Sequence, residues 1–128
     1  MYKKIYTHVL ILILLLNVNA CAQQTDENNI TVKQLNENIK TDSTLIILDV
    51  RMPQELRGEL GQIEGVINIP VQELEKRIHE LEKYKNNNIN IICRSGRRSA
   101  IASEFLNKNG FKTKNVLGGM IEYRKNEK

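Results

Sequence analysis

The chain has 128 residues, 41% of them hydrophobic and 27% charged, which bounds it to one ordinary globular domain. Its formal net charge is +4, with 19 basic and 15 acidic residues. Lys3 and Lys4 lie in the first twenty residues, which hold no acidic residue, so the remainder carries 17 against 15, a balance too even for a nucleic-acid partner.

Residues 1–20 read as an export leader. Lys3 and Lys4 form a positive n-region, and Val9 to Leu16 form an apolar run too short to span a bilayer comfortably. Val18-Asn19-Ala20-Cys21 then resembles a bacterial lipobox, which would leave Cys21 lipidated at the mature N-terminus and the protein held on a membrane, facing the periplasm. Two other readings stand beside it. Ala20-Cys21-Ala22 is an A-x-A site for ordinary signal peptidase, giving a soluble periplasmic protein, and the run could stay uncleaved as an anchor. Residues 21–29 are polar and aperiodic and read as a flexible tether, with the folded domain over residues 30–128.

Thr31 is a candidate N-cap, and Val32, Leu35 and Ile39 mark one face of a helix over about 32–40. Leu45-Ile46-Ile47-Leu48 is a continuous apolar run, the pattern of a strand buried on both faces of a parallel sheet. Asp49-Val50-Arg51 follows it, and Pro53 opens a helical turn through Leu56. Val66 to Ile69 reads as a short strand closed by Pro70. Val71, Leu74, Ile78 and Leu81 then fall at helical spacing, with the charged face opposite them solvated. His79, the one histidine beyond the leader, sits on that charged face and reads as a surface residue, and no metal site is predicted.

Ile89 to Ile92 reads as a central strand that delivers Cys93. Cys93-Arg94-Ser95-Gly96-Arg97-Arg98-Ser99 places three arginines and a glycine around a thiol, ahead of a helix whose apolar residues are Ile101, Ala102, Phe105 and Leu106. A buried structural cysteine is the commoner reading of a lone Cys. This loop argues against it: arginine charge, loop N–H groups and a helix N-terminus all favour the reactive thiolate. A free thiol is only a few per cent ionised at neutral pH, with a pKa of about 8.5. Asn109-Gly110 stops the helix, Val116-Leu117 is the last strand, and Gly118-Gly119 turns into a C-terminal helix carrying Ile121 and Tyr123. Strands alternating with helices predict an α/β fold with a central, mainly parallel sheet. Sites of such sheets lie at the carboxyl ends of the strands, so Asp49, Arg51 and Cys93 can share one. With Cys21 lipidated or removed, Cys93 has no intramolecular thiol partner, so neither a structural disulfide nor a dithiol cycle is expected.

The cysteine loop resembles the active-site loop of the rhodanese family of sulfurtransferases. Leu48-Asp49-Val50-Arg51 with Pro53 and Glu55 resembles the family's "D-V-R-x-P-x-E" signature. Gly65-Val66-Ile67-Asn68-Ile69-Pro70 resembles its "G-A-x-N-I-P" segment, and Gly110-Phe111 with Val116-Leu117-Gly118-Gly119 its closing "G-F … L-x-G-G". The pieces keep family order over about residues 30–124. Two positions depart: Gly61-Gln62-Ile63 has no histidine where the family often has one, and Tyr123 is nearest to a frequent tryptophan.

Cys93 to Arg98 is Cys-x₄-Arg, one residue shorter than the Cys-x₅-Arg loop of cysteine phosphatases. The resemblance implies a rhodanese-like fold and a cradle for one sulfur atom on Cys93. A small anionic donor such as thiosulfate would load Cys93 as a persulfide, and a thiol or cyanide would take the sulfur, with no cofactor. Arg94 and Arg97 would meet the donor, and Arg98 would shape the loop. Ser95 stands where some thiosulfate-using members have lysine, Gly96 and Ser99 complete the cradle, and Arg51 lines the rim or clamps the fold. Asp49 is expected to be structural, bonding loop N–H groups or Arg51. Two further readings stay open: a persulfide carrier or docking module serving a protein sulfur acceptor, and a redox-sensing thiol protein.

Overall fold

The computed structural model describes residues 26–127. The leader, Cys21 and the tether up to Thr25 lie outside the described residues.

Five strands form one parallel sheet: β1 (Asn29–Ile30), β2 (Ile46–Asp49), β3 (Ile67–Asn68), β4 (Asn88–Ile92) and β5 (Lys112–Val116), in the order β1-β5-β4-β2-β3. The helices are α1 (Val32–Thr41), α2 (Pro53–Leu56), α3 (Leu74–Arg77) running into a 3₁₀ helix (Ile78–Tyr84), α4 (Arg97–Lys108) and α5 (Gly119–Asn126). The expected α/β fold with a central parallel sheet is therefore present. Strand β4 is central, and its three isoleucines are all buried. Its period of two sends Ile89, Ile91 and Cys93 into a core with Leu48, Leu81, Ala102 and Leu106. Ile92 points the other way, into a second core with Ile30, Leu35, Val116, Met120 and Tyr123. Helix α4 packs on β4 and β5, while α1 and α5 pack on each other. Among the described residues, no helix is long and apolar enough to cross a membrane.

Several elements differ from expectation, each for a physical reason. The polar stretch read as tether ends in a strand: Asn29 belongs to β1, Asn115 N donates to Asn28 O at 2.9 Å, and Leu117 N donates to Ile30 O at 2.9 Å. Helix α1 starts as expected, with Thr31 and Gln34 forming a reciprocal capping box. Its last apolar residue, Ile39, is 38% exposed because only the first turns rest on the core. Strand β3 is two residues long, although Ile69 N and Val71 N go on pairing with Asp49 O and Val50 O. The segment after Pro70 is a single α-turn followed by 3₁₀ helix, because Ile78, Leu81 and Tyr84 recur every three residues, the 3₁₀ period. His79 lies exposed on it.

Helix α4 starts at Arg97, two residues before Ser99, and buries Ser99, Ala102, Ser103 and Leu106. Ile101 is 63% exposed, so the buried stripe is one step away from the apolar one. Strand β5 is longer than Val116-Leu117 and turns Thr113 and Asn115 inward, while Leu117 faces out. In α5 the core residues are Met120 and Tyr123, with Ile121 half-buried.

Candidate active site

Strands β2 and β4 are neighbours in parallel register, with Asp49 opposite Ile92. Their carboxyl ends therefore present Asp49-Val50-Arg51 and the Cys93 loop side by side, and Val50 N donates to Ile92 O at 3.0 Å.

Cys93 is 1% exposed, with its sulfur turned into a turn of backbone that curls from β4 into α4. Gly96 N donates to Sγ at 3.1 Å and the Ser99 hydroxyl lies 3.3 Å from it. The turn closes because Gly96 caps α4 in the left-handed conformation, φ 95°. Burial pushes the Cys93 thiol up. Hydrogen bonding from Ser99, and from the N–H groups of Ser95 and Gly96, outweighs burial and holds the thiol below its usual value. Of the influences expected to favour the thiolate, hydrogen bonding within the loop supplies the local pull on sulfur.

The three arginines divide. Arg98 is a fork on the Glu55 carboxylate, at 2.7 and 2.8 Å, which ties the loop to α2. The Arg98 fork and the Met52 N–H hold the Glu55 carboxyl down at about 2. Arg94 and Arg97 are exposed and make no ion pair among the described residues. Ser95, between them, is exposed as well.

Asp49 and Arg51 are both buried, their side chains paired at 2.7 Å. Asp49 also accepts from Arg51 N at 3.0 Å, and Arg51 donates to Gly61 O at 2.8 Å. Asn68 Nδ2 closes the knot on the carbonyls of Asp49 and Arg51, each at 2.9 Å. No guanidinium N–H of Arg51 is turned to the sulfur; the group is spent on Asp49, Gly61 and Glu55.

Gly119 is a residue whose part in the site sequence reasoning missed. Met120 N and Ile121 N, at the start of α5, donate to Cys93 O at 2.8 Å and Arg94 O at 3.1 Å. A Cβ on Gly119 would stand 2.4 Å from Cys93 O, so only glycine lets the helix come this close. The Gly-Gly pair was legible as a turn; that it holds the cysteine loop from behind was not. Asn115 was missed too: Ser99 Oγ donates to its Oδ1 at 2.7 Å. Among the described residues, no group of three or more His, Cys, Asp or Glu side chains is gathered as metal ligands.

The site is thus a buried thiol facing the Gly96 N–H at the strand ends of a parallel α/β sheet, in a loop whose Arg94 and Arg97 are exposed and make no ion pair among the described residues. That is the architecture of an α/β protein with a cysteine loop at its strand ends. Residues 31–126 match the family described as rhodanese-like domain, and the chain belongs to that family. It is 42% identical over 95 residues to YrkF of Bacillus subtilis (strain 168), which is named for a proposed sulfur-carrier role. That match covers 73% of this chain but only 49% of YrkF, so the chain spans about half of that relative. It is 34% identical over 73 residues to the thiosulfate sulfurtransferase PspE of Escherichia coli (strain K12), covering 57% of this chain and 68% of PspE. The crystal structure of a rhodanese-related protein from Thermoplasma volcanium superposes with a TM-score of 0.69 at 37% identity, covering 77% of this chain and 92% of that one.

Proposed function

We propose that the protein is a sulfurtransferase that carries sulfane sulfur as a persulfide on Cys93. The observation that carries the reading is the cradle itself: Sγ is buried and faces the Gly96 N–H at 3.1 Å, in a loop whose Arg94 and Arg97 are exposed. In the first step the Cys93 thiolate attacks the outer sulfur of thiosulfate. An S–S bond forms to Cys93, the donor's S–S bond breaks, and sulfite leaves with the electron pair. The persulfide's terminal sulfur carries the single negative charge, which the N–H groups of the Ser95–Ser99 turn suit. Cyanide or a thiolate then attacks that sulfur and the Cys93 thiolate returns.

Arg94 and Arg97 attract the dianionic donor and the leaving sulfite. Arg98, fixed on Glu55, holds the loop's shape. Asp49 and Arg51 support the neighbouring strand end from inside. The name of PspE supports thiosulfate as a donor class.

The name of YrkF favours a second reading, a persulfide carrier that hands its sulfur to a protein partner and turns over little alone. Both share the persulfide. Intact mass after incubation with thiosulfate should rise by one sulfur atom and return on adding cyanide. No gain, with the thiol still alkylatable, removes both. Multiple turnovers with small donor and acceptor then select the enzyme, and a single turnover selects the carrier.

The address belongs to the same proposal. The leader and Cys21 support export and a lipid anchor on the periplasmic side of a membrane, with a tether behind the domain. Fatty-acid labelling of the wild type, lost in Cys21→Ala, is the expected result. Unlabelled, soluble periplasmic protein would replace the anchor with ordinary signal-peptidase cleavage.

A further inference from the structure

The chain of side-chain hydrogen bonds behind Cys93 runs out to the surface. Ser99 Oγ lies 2.7 Å from Asn115 Oδ1, Asn115 Nδ2 lies 3.1 Å from Asn29 Oδ1, and Asn29 Nδ2 donates to the Asp26 carboxylate. Ser99 and Asn115 are buried and Asp26 is exposed. The chain therefore crosses from α4 to β5 to β1 and ends in the stretch that reads as tether.

Its direction is fixed from the far end. A carboxylate can only accept hydrogen bonds. Asp26 thus takes the amide N–H of Asn29, which leaves Asn29 its oxygen for Asn115. Asn115 gives its N–H there and turns its oxygen to Ser99. A hydroxyl has one hydrogen, and the Asn115 oxygen, closer than the sulfur, receives it. We infer that Asp26, Asn29 and Asn115 are positioning residues that aim the Ser99 hydroxyl hydrogen away from Cys93, so that Sγ, 3.3 Å off, meets an oxygen lone pair.

A thiol can donate S–H to that lone pair, whereas a thiolate is repelled by it. With the hydroxyl hydrogen held by Asn115, the share of the downward pull that Ser99 supplies is that of its backbone N–H, beside those of Ser95 and Gly96, and the hydroxyl oxygen opposes them. Turning the hydroxyl to the sulfur would require both amides to flip, and the flipped Asn29 would put its oxygen against the Asp26 carboxylate. A thiolate left without the hydroxyl is also the stronger nucleophile, since intrinsic reactivity rises with thiol pKa. In the persulfide the charge sits on the outer sulfur, beyond this contact.

The inference rests on the reading of Cys93 as the reacting group. Its test needs no sulfur donor, so either can fail alone. The midpoint of Cys93 is read from the pH dependence of its alkylation rate. Asn115→Leu removes the competing acceptor at similar volume and should lower the midpoint by about 0.5–1 pH unit. Asp26→Asn lets the chain run either way and should lower it by less. In a Ser99→Ala background both shifts should vanish. That background cancels direct charge effects, since Arg94, Arg97, Arg98 with Glu55, the Asp49–Arg51 pair and Glu122 of α5 stay in place throughout. A midpoint that stays or rises in Asn115→Leu overturns the inference, as does a fall that persists without the Ser99 hydroxyl. If Asn115→Leu does not fold, Asp26→Asn at the surface decides by the same two criteria.

Discussion

Two neighbouring strand ends of this sheet carry charge in opposite ways. At the end of β2, Asp49 and Arg51 neutralise each other in the interior, and Asn68 and Gly61 take up the remaining bonds. At the end of β4, the sulfur of Cys93 faces the Gly96 N–H, and Arg94 and Arg97 stand exposed without anionic partners among the described residues. The first end turns its charges on each other; the second turns a backbone N–H on the sulfur. The same position in the fold thus holds a buried ion pair in one strand and a buried thiol beside exposed cations in the next. Glu55 and Arg98 join the two, so the clamp holds the cradle in place.

The comparison breaks most sharply at the nucleophile. Cys93→Ser nearly conserves volume at a buried position, so the fold should survive while persulfide loading disappears from the mass spectrum. Loading that persists in the purified variant would take the chemistry away from this strand end. The next largest effect belongs to the clamp. Arg51→Ala leaves the Asp49 carboxylate buried without its cation, a change that typically costs about 3–5 kcal/mol. Urea unfolding should show a loss of that order, a large share of a small domain's stability of about 5–15 kcal/mol. A loss below about 1 kcal/mol would mean the pair is not a clamp.

Much of this contrast is legible in the sequence, and the missing parts share a cause. Apolar runs mark β2 and β4, so Asp49 and Cys93 could be placed at carboxyl ends of central strands, able to share one site; that the two strands are neighbours comes from the fold. Strand β5 is poorly visible because its inward residues include Thr113 and Asn115, polar groups that are buried only because Ser99, Ser103 and Asn107 bond them. β1 is hidden for the same reason: Asn28 and Asn29 look like solvated chain until β5 is there to pair with them. Ile101 misled in the other direction, since an exposed isoleucine at helical spacing mimics a core stripe. Which arginine is spent and which is free could not be read from Arg94, Arg97 and Arg98 at all. That depends on Glu55, 43 residues away in the chain.

The division among those arginines sharpens the comparison further. Arg94→Ala and Arg97→Ala remove exposed cations that make no ion pair among the described residues, so unfolding midpoints should stay within experimental scatter. Loss of one charge-assisted contact with the donor should still cost roughly 10- to 100-fold in kcat/KM for thiosulfate, or about 1.5–3 kcal/mol. Full activity in both single variants would show that the anion is not met at this rim.

The smallest effect concerns the link between the two ends. The Glu55 carboxyl is held at about 2 by Arg98, against an ordinary value of 4.5. Its folded pKa is depressed, so between those values the unfolded chain binds more protons than the folded one and stability rises with pH. The contribution is complete above about pH 5, fades as pH falls, and is gone near pH 2. Glu55 is half-buried, so solvent screening keeps the gain to about 1 kcal/mol or less. Glu55→Gln, which cannot titrate, should therefore be less stable than wild type at pH 7, and the gap should close on acidification. Urea unfolding of both proteins at a series of pH values measures it. A gap that stays constant from pH 7 to pH 3 would show that Arg98 gains nothing from the Glu55 charge, and that backbone bonds alone hold the cysteine loop against the clamp.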